Sequence, residues 1–479
     1  MGGLTICPIT AYKEGFRDEI NGWVCLHIEG GPYERGFQHG YLMAPEIKEI
    51  MRSIEYLTYW DTGKKWEFFV EAARDLWLSP SGSGIDEEFL AEMQGIAAGA
   101  REAGVKITWE EVLAWNGYEE LTGYWWPLRK EGKFSESIRN RKDHCSAFIA
   151  TAPYTGGATA GERSEGRGGE RAEEKDGPEI VMAHNTWSNF ETGQFCNLVL
   201  DIKPARGQRI FMQAYPGYIH SMTDFFVTGA GLMGTETTIG GFNCYDPDQL
   251  PEFFRVRKAM QYSESPDRFV EFMKQGNNGG YANTWYLGDI NSGEILRFEL
   301  GLEYNNVSRK KEGYFIGFNA PLDPRIRNLE CSNTGYADIR RHQGARQVRL
   351  EELMEEYRGR INVESAKKII ADHYDVYLKK RNNPCSRTVD GHYELDARES
   401  MSQPGRPLPF QPRGAVDGKV MDSRLAKEFA FWGRWGNSSG IPFEASEFLK
   451  EHIQWKHLDG YLKDRPSQPW TLFKAKEIQ

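Results

Sequence analysis

The sequence lacks several features that would assign it to a broad class of protein. None of its 479 residues lie in an apolar run of 18 or more, so it predicts no helix that spans a membrane. Its formal net charge of −10 argues against general nucleic-acid binding. Its seven cysteines form no CxxC pair, which argues against a zinc site and favours free thiols. No basic segment followed by an apolar core opens the chain, which predicts a cytoplasmic protein, or a secreted or lumenal one if a signal peptide has been removed.

The common catalytic motifs are also missing. The chain contains no GxSxG, no P-loop, no Rossmann glycine pattern and no HExxH. What it contains is an ordinary globular composition, 39% apolar, with an unusually high aromatic content of 13%. A function must therefore be sought in dispersed residues that the fold brings together.

The chain divides into a mainly helical first part and a strand-rich second part. Apolar spacing and capping residues predict helices in the first 125 residues, at 33–60, 64–78, 86–103 and 109–121. From residue 145 the pattern favours strands, interrupted by helices at 251–262, 267–275, 343–357 and 363–373. The tail, 398–479, predicts irregular structure with one helix near 444–453.

Cys145 stands where a polar segment becomes an apolar strand. Residues 129–142 are rich in Arg and Lys and predict an exposed linker, whereas residues 145–153 are mostly apolar and predict a strand. This position suits a nucleophile that is exposed when the chain is cut in front of it. Position alone favours a simpler interpretation, a small buried thiol, because free cysteine is among the most buried residue types.

His184 is the first residue that the sequence places near Cys145. Residues 179–187 predict a second strand, and a flexible loop over 154–177 separates it from the first. If the two strands pair as a hairpin, paired residue numbers sum to about 332, so Cys145 faces the 184–187 end. Without that pairing, His184 is better explained as a packed core histidine.

Two further polar residues are candidates for the same site. Asn283 lies in a glycine-rich entry to a strand, where its amide could donate to an oxyanion, although spacing alone favours a loop or turn asparagine. Arg387 follows a proline by three residues, and a surface ion pair is the simpler interpretation. Neither residue is specific on its own.

The ordered set of motifs resembles a known group of enzymes. The segments are His144-Cys145-Ser-Ala, Ala183-His-Asn-Thr-Trp187, Glu236-Thr-Thr-Ile-Gly240, Asn283-Thr-Trp285 and Cys385-Ser-Arg-Thr388. They resemble the phospholipase B-like family and the peptidase C45 family typified by isopenicillin N acyltransferase. Both are N-terminal-nucleophile (Ntn) hydrolases, and the resemblance covers about 20–475.

The resemblance implies an α+β fold, a four-layer αββα sandwich with a mainly helical N-terminal segment. It implies self-cleavage of the His144–Cys145 bond, giving fragments 1–144 and 145–479 that together form one compact domain. Carried over by position, Cys145 is the nucleophile, with its freed amine as the base.

The resemblance also assigns roles to other positions. His184 and Trp187 lie beside the nucleophile, with Asn185 between them. Asn283 donates to the oxyanion and Thr238 lines the site. The remaining assignment is that Arg387 orients the amine or the substrate.

These residues predict a self-processing amide hydrolase or acyltransferase that acts on a small acyl-amide or ester substrate. No metal or organic cofactor is expected, and neither nucleic acid nor an integral membrane segment is a predicted partner. A homo-oligomer is left open. Two alternatives remain: a phospholipase B-like lipid deacylase, and a non-catalytic binding protein on the same fold.

Overall fold

The structure, a computed structural model, describes residues 10–78, 84–131, 145–156, 179–222, 225–332, 335–401, 406–407 and 409–476. His144, on one side of the predicted cleavage site, lies outside the described residues, as does most of the predicted loop at 154–177. None of the helices in the described part is long and apolar enough to cross a membrane.

Helices dominate the first part of the chain, as predicted, and recur between the later strands. They are α1 Pro32–Leu42, α2 Ala44–Thr62, α3 Trp66–Trp77, α4 Glu87–Glu102, α5 Trp109–Asn116, α6 Tyr118–Glu120, α7 Trp126–Glu131, α8 Phe190–Gly193, α9 Glu252–Tyr262, α10 Pro266–Lys274, α11 His342–Glu356, α12 Val363–Ile370, α13 Ser423–Lys427 and α14 Ala445–Glu451. The helix predicted over 33–60 is divided at Met43. The one predicted over 109–121 ends at Asn116, after a start at which Glu111 N donates to Thr108 Oγ1 at 3.1 Å.

The glycines of α1 allow two helices to touch backbone to backbone. A Cβ atom on Gly36 would lie 2.0 Å from the carbonyl oxygen of Glu92, and one on Gly40 would lie 1.8 Å from that of Ile96. No side chain fits at such distances, so both positions require glycine.

The strands form two sheets. In chain order they are β1 Thr10–Tyr12, β2 Gly15–Ile20, β3 Trp23–Gly30, β4 Cys145–Thr151, β5 Ile180–Asn189, β6 Leu198–Pro204, β7 Ile210–Ala214, β8 Phe226–Thr228, β9 Leu232–Thr238, β10 Asn283–Asp289, β11 Glu294–Leu300, β12 Asn305–Lys310, β13 Tyr314–Gly317, β14 Arg413–Ala415, β15 Asp417–Asp422, β16 Ala430–Trp435 and β17 Thr471–Lys474. The ten-stranded sheet has the order β1-β2-β3-β6-β7-β8-β9-β10-β11-β12, and β13-β4-β5-β15-β16-β17 form the second sheet, with β14 paired to β5.

The tail is more regular than predicted. The expectation of irregular structure over 398–479 is wrong, because β14 to β17 all lie there and extend the second sheet beyond β5. These strands are only three to six residues long. β14 and β15 pair with β5, more than 220 residues earlier in the chain, and local spacing does not reveal such a partner.

The second sheet is buried on both faces. Along β4, Ala147 and Ile149 belong to the large core that also holds the ten-stranded sheet and the first helices. Phe148 and Ala150 belong instead to a core built with α11 and α12. Because successive residues of a strand point to opposite faces, β4 lies between the other sheet on one side and helices on the other.

Candidate active site

The hairpin of β4 and β5 brings His184 to Cys145. Cys145 pairs with Thr186 and Ala147 pairs with His184, so paired numbers sum to 331, one less than predicted. Directly paired residues in an antiparallel ladder share a face, as do residues two apart on one strand. Cys145 and His184 therefore lie on the same face, and the predicted proximity is confirmed.

A carboxylate completes a buried group of three. The Sγ atom of Cys145 lies 3.7 Å from Oε1 of Glu236 in β9. One ligand-type atom from each of Cys145, His184 and Glu236 lies within 4.8 Å of the others. The sequence interpretation missed Glu236, although a single acid inside a strand of otherwise neutral residues was a usable signal.

The site holds its thiol and imidazole in neutral forms. Burial and the charge of Glu236 raise the pKa of Cys145 well above its ordinary value, against a smaller opposing effect of Lys419. Burial and the charge of Lys419 lower the pKa of His184 well below its ordinary value. A resting thiolate–imidazolium pair is therefore disfavoured, and a reaction at Cys145 requires a base that acts in the reacting state.

A buried ion pair between Lys419 and Asp417 lies next to His184, on the neighbouring strand β15. Lys419, which pairs with His184 across β5 and β15, has its Nζ 3.0 Å from Oδ1 of Asp417. The same ammonium donates to Thr186 Oγ1 at 2.7 Å and to Gln213. Asp417 in turn accepts the backbone N–H of Thr186 at 2.9 Å. This network fixes the end of β5 that faces Cys145.

The backbone of Cys145 has its own polar contacts. Its N–H donates to Oδ1 of Asn319 at 3.2 Å, and its carbonyl accepts from Arg346. Arg346 also donates to Asn319 Oδ1 at 2.8 Å, and its guanidinium lies 4.2 Å from the ring centroid of Trp187. Sequence spacing gave no signal for Asn319 or Arg346, because both are more than 170 residues from Cys145 along the chain.

Asn185 and Trp187 act on the strands around the thiol. Asn185 Oδ1 accepts the backbone N–H of Ser146 and the indole N–H of Trp187, both at 3.0 Å. Its Nδ2 donates to the carbonyl of Val389 at 3.0 Å. These two predicted site residues therefore join β4, β5 and the 385–389 segment beside the nucleophile.

Thr238 and Asn283 reach the site through Asn319. Asn319 Nδ2 donates to the carbonyl of Thr238 at 2.8 Å, and Thr238 pairs with Asn283 across β9 and β10. Glu236, two residues from Thr238, shares its face of the sheet. Among the described residues, neither amide atom of the buried Asn283 has a hydrogen-bond partner. A buried amide without a partner is available to a group that enters the site.

Arg387 is occupied elsewhere. It forms a buried ion pair with Asp375, donating from Nε at 3.1 Å and also from Nη2. Only its neighbour Val389 reaches the Cys145 region, where its carbonyl accepts from Ser146 Oγ at 2.8 Å. The arginine that contacts the backbone of Cys145 is Arg346.

A thiol, an imidazole and a carboxylate are also ligand types for zinc. The expectation that the site works without a metal stays a prediction, because the spacing within this group fits either use.

Known proteins give this geometry a context. A family model described as Phospholipase B matches residues 87–299. A Phospholipase B of Crotalus adamanteus is 23% identical over 474 residues, covering 86% of this chain and 79% of that protein. Phospholipase B-like 1 of Homo sapiens is 22% identical over 484 residues, covering 88% and 80%. The chain is thus similar to phospholipase B-like proteins over most of its length. An uncharacterized protein of Archaeoglobus fulgidus is 25% identical over 285 residues, covering 56% of this chain and 42% of that one.

The matched segment of the phospholipase B family contains the centre of the site. Residues 87–299 include Cys145, His184, Glu236, Thr238 and Asn283. The phospholipase B-like part of the resemblance is thereby supported, whereas its Ntn part remains a prediction.

Proposed function

We propose that the chain is a hydrolase that removes acyl groups from ester-linked lipids, with Cys145 as its nucleophile. The relatives named phospholipase B support an ester substrate. They favour the lipid-deacylase alternative over the predicted cleavage or transfer at a carbon–nitrogen bond. The observation that carries the proposal is the buried thiol of Cys145, the first residue of β4. This thiol lies 3.7 Å from the Glu236 carboxylate.

The chain first cuts itself. The Cys145 sulfur attacks the carbonyl carbon of His144, the His144–Cys145 amide bond breaks, and its nitrogen becomes the free amine of Cys145. Water then hydrolyses the thioester between His144 and Cys145, giving a carboxylate at His144 and restoring the thiol. Glu236, the carboxylate beside Sγ, is suited to accept the thiol proton in this first step.

Cleavage supplies the base that the resting site lacks. An α-amine has a pKa of about 7.7–8.0 in water, so a neutral fraction of it is present near neutral pH to take the thiol proton as the sulfur attacks. Asn319 Oδ1, which accepts the N–H of Cys145 at 3.2 Å, is placed to orient the amine. Arg346 would hold the carbonyl of the same residue.

Ester hydrolysis then follows two acyl-transfer steps. The thiolate attacks the acyl carbonyl, and the alcohol leaves with the proton held by the amine. Water hydrolyses the acyl-thioester and releases the fatty acid. Asn283, whose amide has no partner among the described residues, is suited to donate to the oxyanion in both steps.

The layer order supports the Ntn interpretation of the fold. Helices pack against both sheets, and β4, which begins with the nucleophile, lies between a sheet and the helices α11 and α12. In the ten-stranded sheet, β3 from the first fragment pairs in parallel with β6 from the second. Fragments 1–144 and 145–479 would therefore stay together after the cut.

Two observations bear on the cellular compartment of this enzyme, and they favour different compartments. The free thiols at all six cysteines of the described residues fit a reducing compartment such as the cytoplasm. The relationship to phospholipase B proteins fits the secreted or lumenal alternative.

The test is fatty-acid release from mixed micelles of a diacyl phospholipid, measured for the wild type, Cys145→Ala and Cys244→Ala. Cys244 is a half-buried free thiol away from the site and is the matched control. We expect fatty-acid release by the wild type and Cys244→Ala and none by Cys145→Ala. An N-acyl amide of the same chain length is assayed in parallel. Faster cleavage of the amide would restore the carbon–nitrogen alternative, and no turnover of either substrate would favour the binding-protein alternative.

A further inference from the structure

A second cluster of ligand-type side chains lies apart from the Cys145 group. His373, just after α12, and His392 both approach Oδ2 of Asp390, His373 from Nε2 at 3.3 Å and His392 from Nε2 at 3.4 Å. The three ligand atoms lie within 4.8 Å of one another, and Asp390 and His392 are buried. We propose that this cluster is a site for a divalent transition-metal ion, with zinc as the best fit.

The distances agree with metal ligation better than with hydrogen bonding. Zn–N and Zn–O bonds of about 2.0–2.1 Å place neighbouring corners of a tetrahedron about 3.3 Å apart. Charged imidazole–carboxylate hydrogen bonds are shorter, about 2.7–2.9 Å. The contacts of Asp390 Oδ2 with His373 and His392, at 3.3 and 3.4 Å, match the edge of a tetrahedron.

The residues behind His392 and Asp390 orient them as ligands. His392 Nδ1 lies 2.7 Å from Glu394 Oε1 and keeps its proton there, whereas Nε2, which faces Asp390, would give up its proton to the solvent when the ion binds. A carboxylate on the outer nitrogen is the usual support of a zinc-bound histidine. Asp390 is itself held by the backbone N–H groups of Ser438 and Ser439, at 3.1 and 3.0 Å.

The charge of the cluster also favours a cation. Two buried carboxylates, those of Asp390 and Glu394, flank His392, and His373 contacts Asp390 as well. A dication between the ligands compensates both charges. The His373 side chain is 12% exposed, so one side of the cluster is open for the ion to enter and for a water to complete four-coordination.

The ion would connect three segments next to the candidate active site. It joins the end of α12, the 390–394 segment and, through Asp390, the turn at 438–439. The neighbouring Val389 carbonyl binds Ser146 Oγ and Asn185 Nδ2. Metal binding would thus fix the segment that supports β4 and β5 just beyond Cys145.

The test is Zn²⁺ binding by untagged full-length protein, stripped with a chelator and titrated in a calorimeter. The Cys145→Ala variant is used throughout, so that the thiol near His184 does not contribute a second site. We expect one Zn²⁺ per chain, loss of binding with His373→Ala, and about 10–100-fold weaker binding with Glu394→Gln. His27→Ala is the matched control, because His27 also contacts a carboxylate, Asp201 at 2.8 Å, and should bind Zn²⁺ like its parent.

A Co²⁺ spectrum keeps the proposal testable if a variant does not fold. The parent protein should show the intense visible bands of tetrahedral Co²⁺ without a thiolate charge-transfer band. No Zn²⁺ binding by the parent, binding that His373→Ala leaves unchanged, or a spectrum of octahedral or thiolate-bound Co²⁺ would each overturn the proposal.

Discussion

The two clusters of this molecule each pair an imidazole with a buried carboxylate, and they hold their histidines in opposite states. In the Cys145 cluster, the pKa of His184 is lowered well below its ordinary value. In the Asp390 cluster, the pKa of His392 is raised to about 10. Burial lowers both values, so burial does not explain the difference.

Neighbouring charge explains it. His184 lies beside the ammonium of Lys419, which adds to the effect of burial. His392 lies between Glu394 and Asp390, whose negative charges outweigh burial. The lesson is that a histidine and a carboxylate in contact do not define a chemistry until the next charged residue is known.

The clusters also differ in their hydrogen bonds. Both ring nitrogens of His392 contact carboxylate oxygens. Beside the other cluster, the amide atoms of Asn283 have no hydrogen-bond partner among the described residues. The first arrangement suits holding a structure or an ion, and the second leaves polar atoms for a substrate.

Removing the ammonium next to His184 should have the largest effect on stability. Lys419→Met leaves the carboxylate of Asp417 buried without its cation, which typically costs about 3–5 kcal/mol. Urea unfolding at neutral pH should report this loss in the free energy of unfolding. The matched control is Lys474→Met, whose ion pair with Glu428 at 2.7 Å is exposed and should cost about 1 kcal/mol or less. Equal losses for the two variants would contradict the account of the Lys419 network.

Asn283→Ala should lower turnover by about 10²–10³ while leaving KM nearly unchanged, since losing one oxyanion donor acts on the transition state. The measurement is steady-state hydrolysis of the micellar phospholipid. Asn291→Ala, in an exposed turn of the same sheet, is the control and should retain wild-type turnover. If both variants matched the wild type, the assignment of Asn283 would be wrong.

The smallest predicted effect is on the pH dependence of stability and comes from His39, a third buried histidine to compare with His184 and His392. Burial lowers its pKa to about 4, with Arg257 acting in the same direction and Glu92 opposing it. The unfolded chain, with a histidine pKa of about 6.5, therefore takes up the proton first as pH falls. The stability from neutral His39 is complete above about pH 6.5 and is lost towards pH 4, by up to about 1.4 kcal/mol per pH unit.

The measurement for His39 is the pH dependence of the free energy of unfolding between pH 7 and 4. His39→Gln keeps an acceptor for Gly217 N, which donates to His39 Nε2 at 2.9 Å, and should lose stability less steeply in this range. The same slope in both proteins would show that His39 is not neutral in the fold.

The sequence predicted those parts of the fold that depend on local spacing. The β4–β5 hairpin was predictable because strand alternation limits how two apolar runs can pair. The paired residue numbers sum to 331, against the predicted sum of about 332. The strands of the tail were missed, since β14 has three residues and pairs with β5 more than 220 residues earlier. Local pattern does not identify such partners.

The candidate site follows the same division. The order of the motifs identified four candidate residues from the sequence alone: Cys145, His184, Thr238 and Asn283. Arg346 was not, because it comes from α11 and meets Cys145 only when the helices pack on the second sheet. Arg387 illustrates the converse, since its position in a motif did not indicate that Asp375 binds its guanidinium.

Intact mass spectrometry of freshly folded protein at neutral pH tests the central proposal, that Cys145 is a nucleophile freed by self-cleavage. The account predicts two masses for the wild type, those of fragments ending at His144 and beginning at Cys145, and one mass of 54.8 kDa for Cys145→Ala. The account would be contradicted if the wild type stayed whole and the Cys145→Ala variant released fatty acid as fast as the wild type.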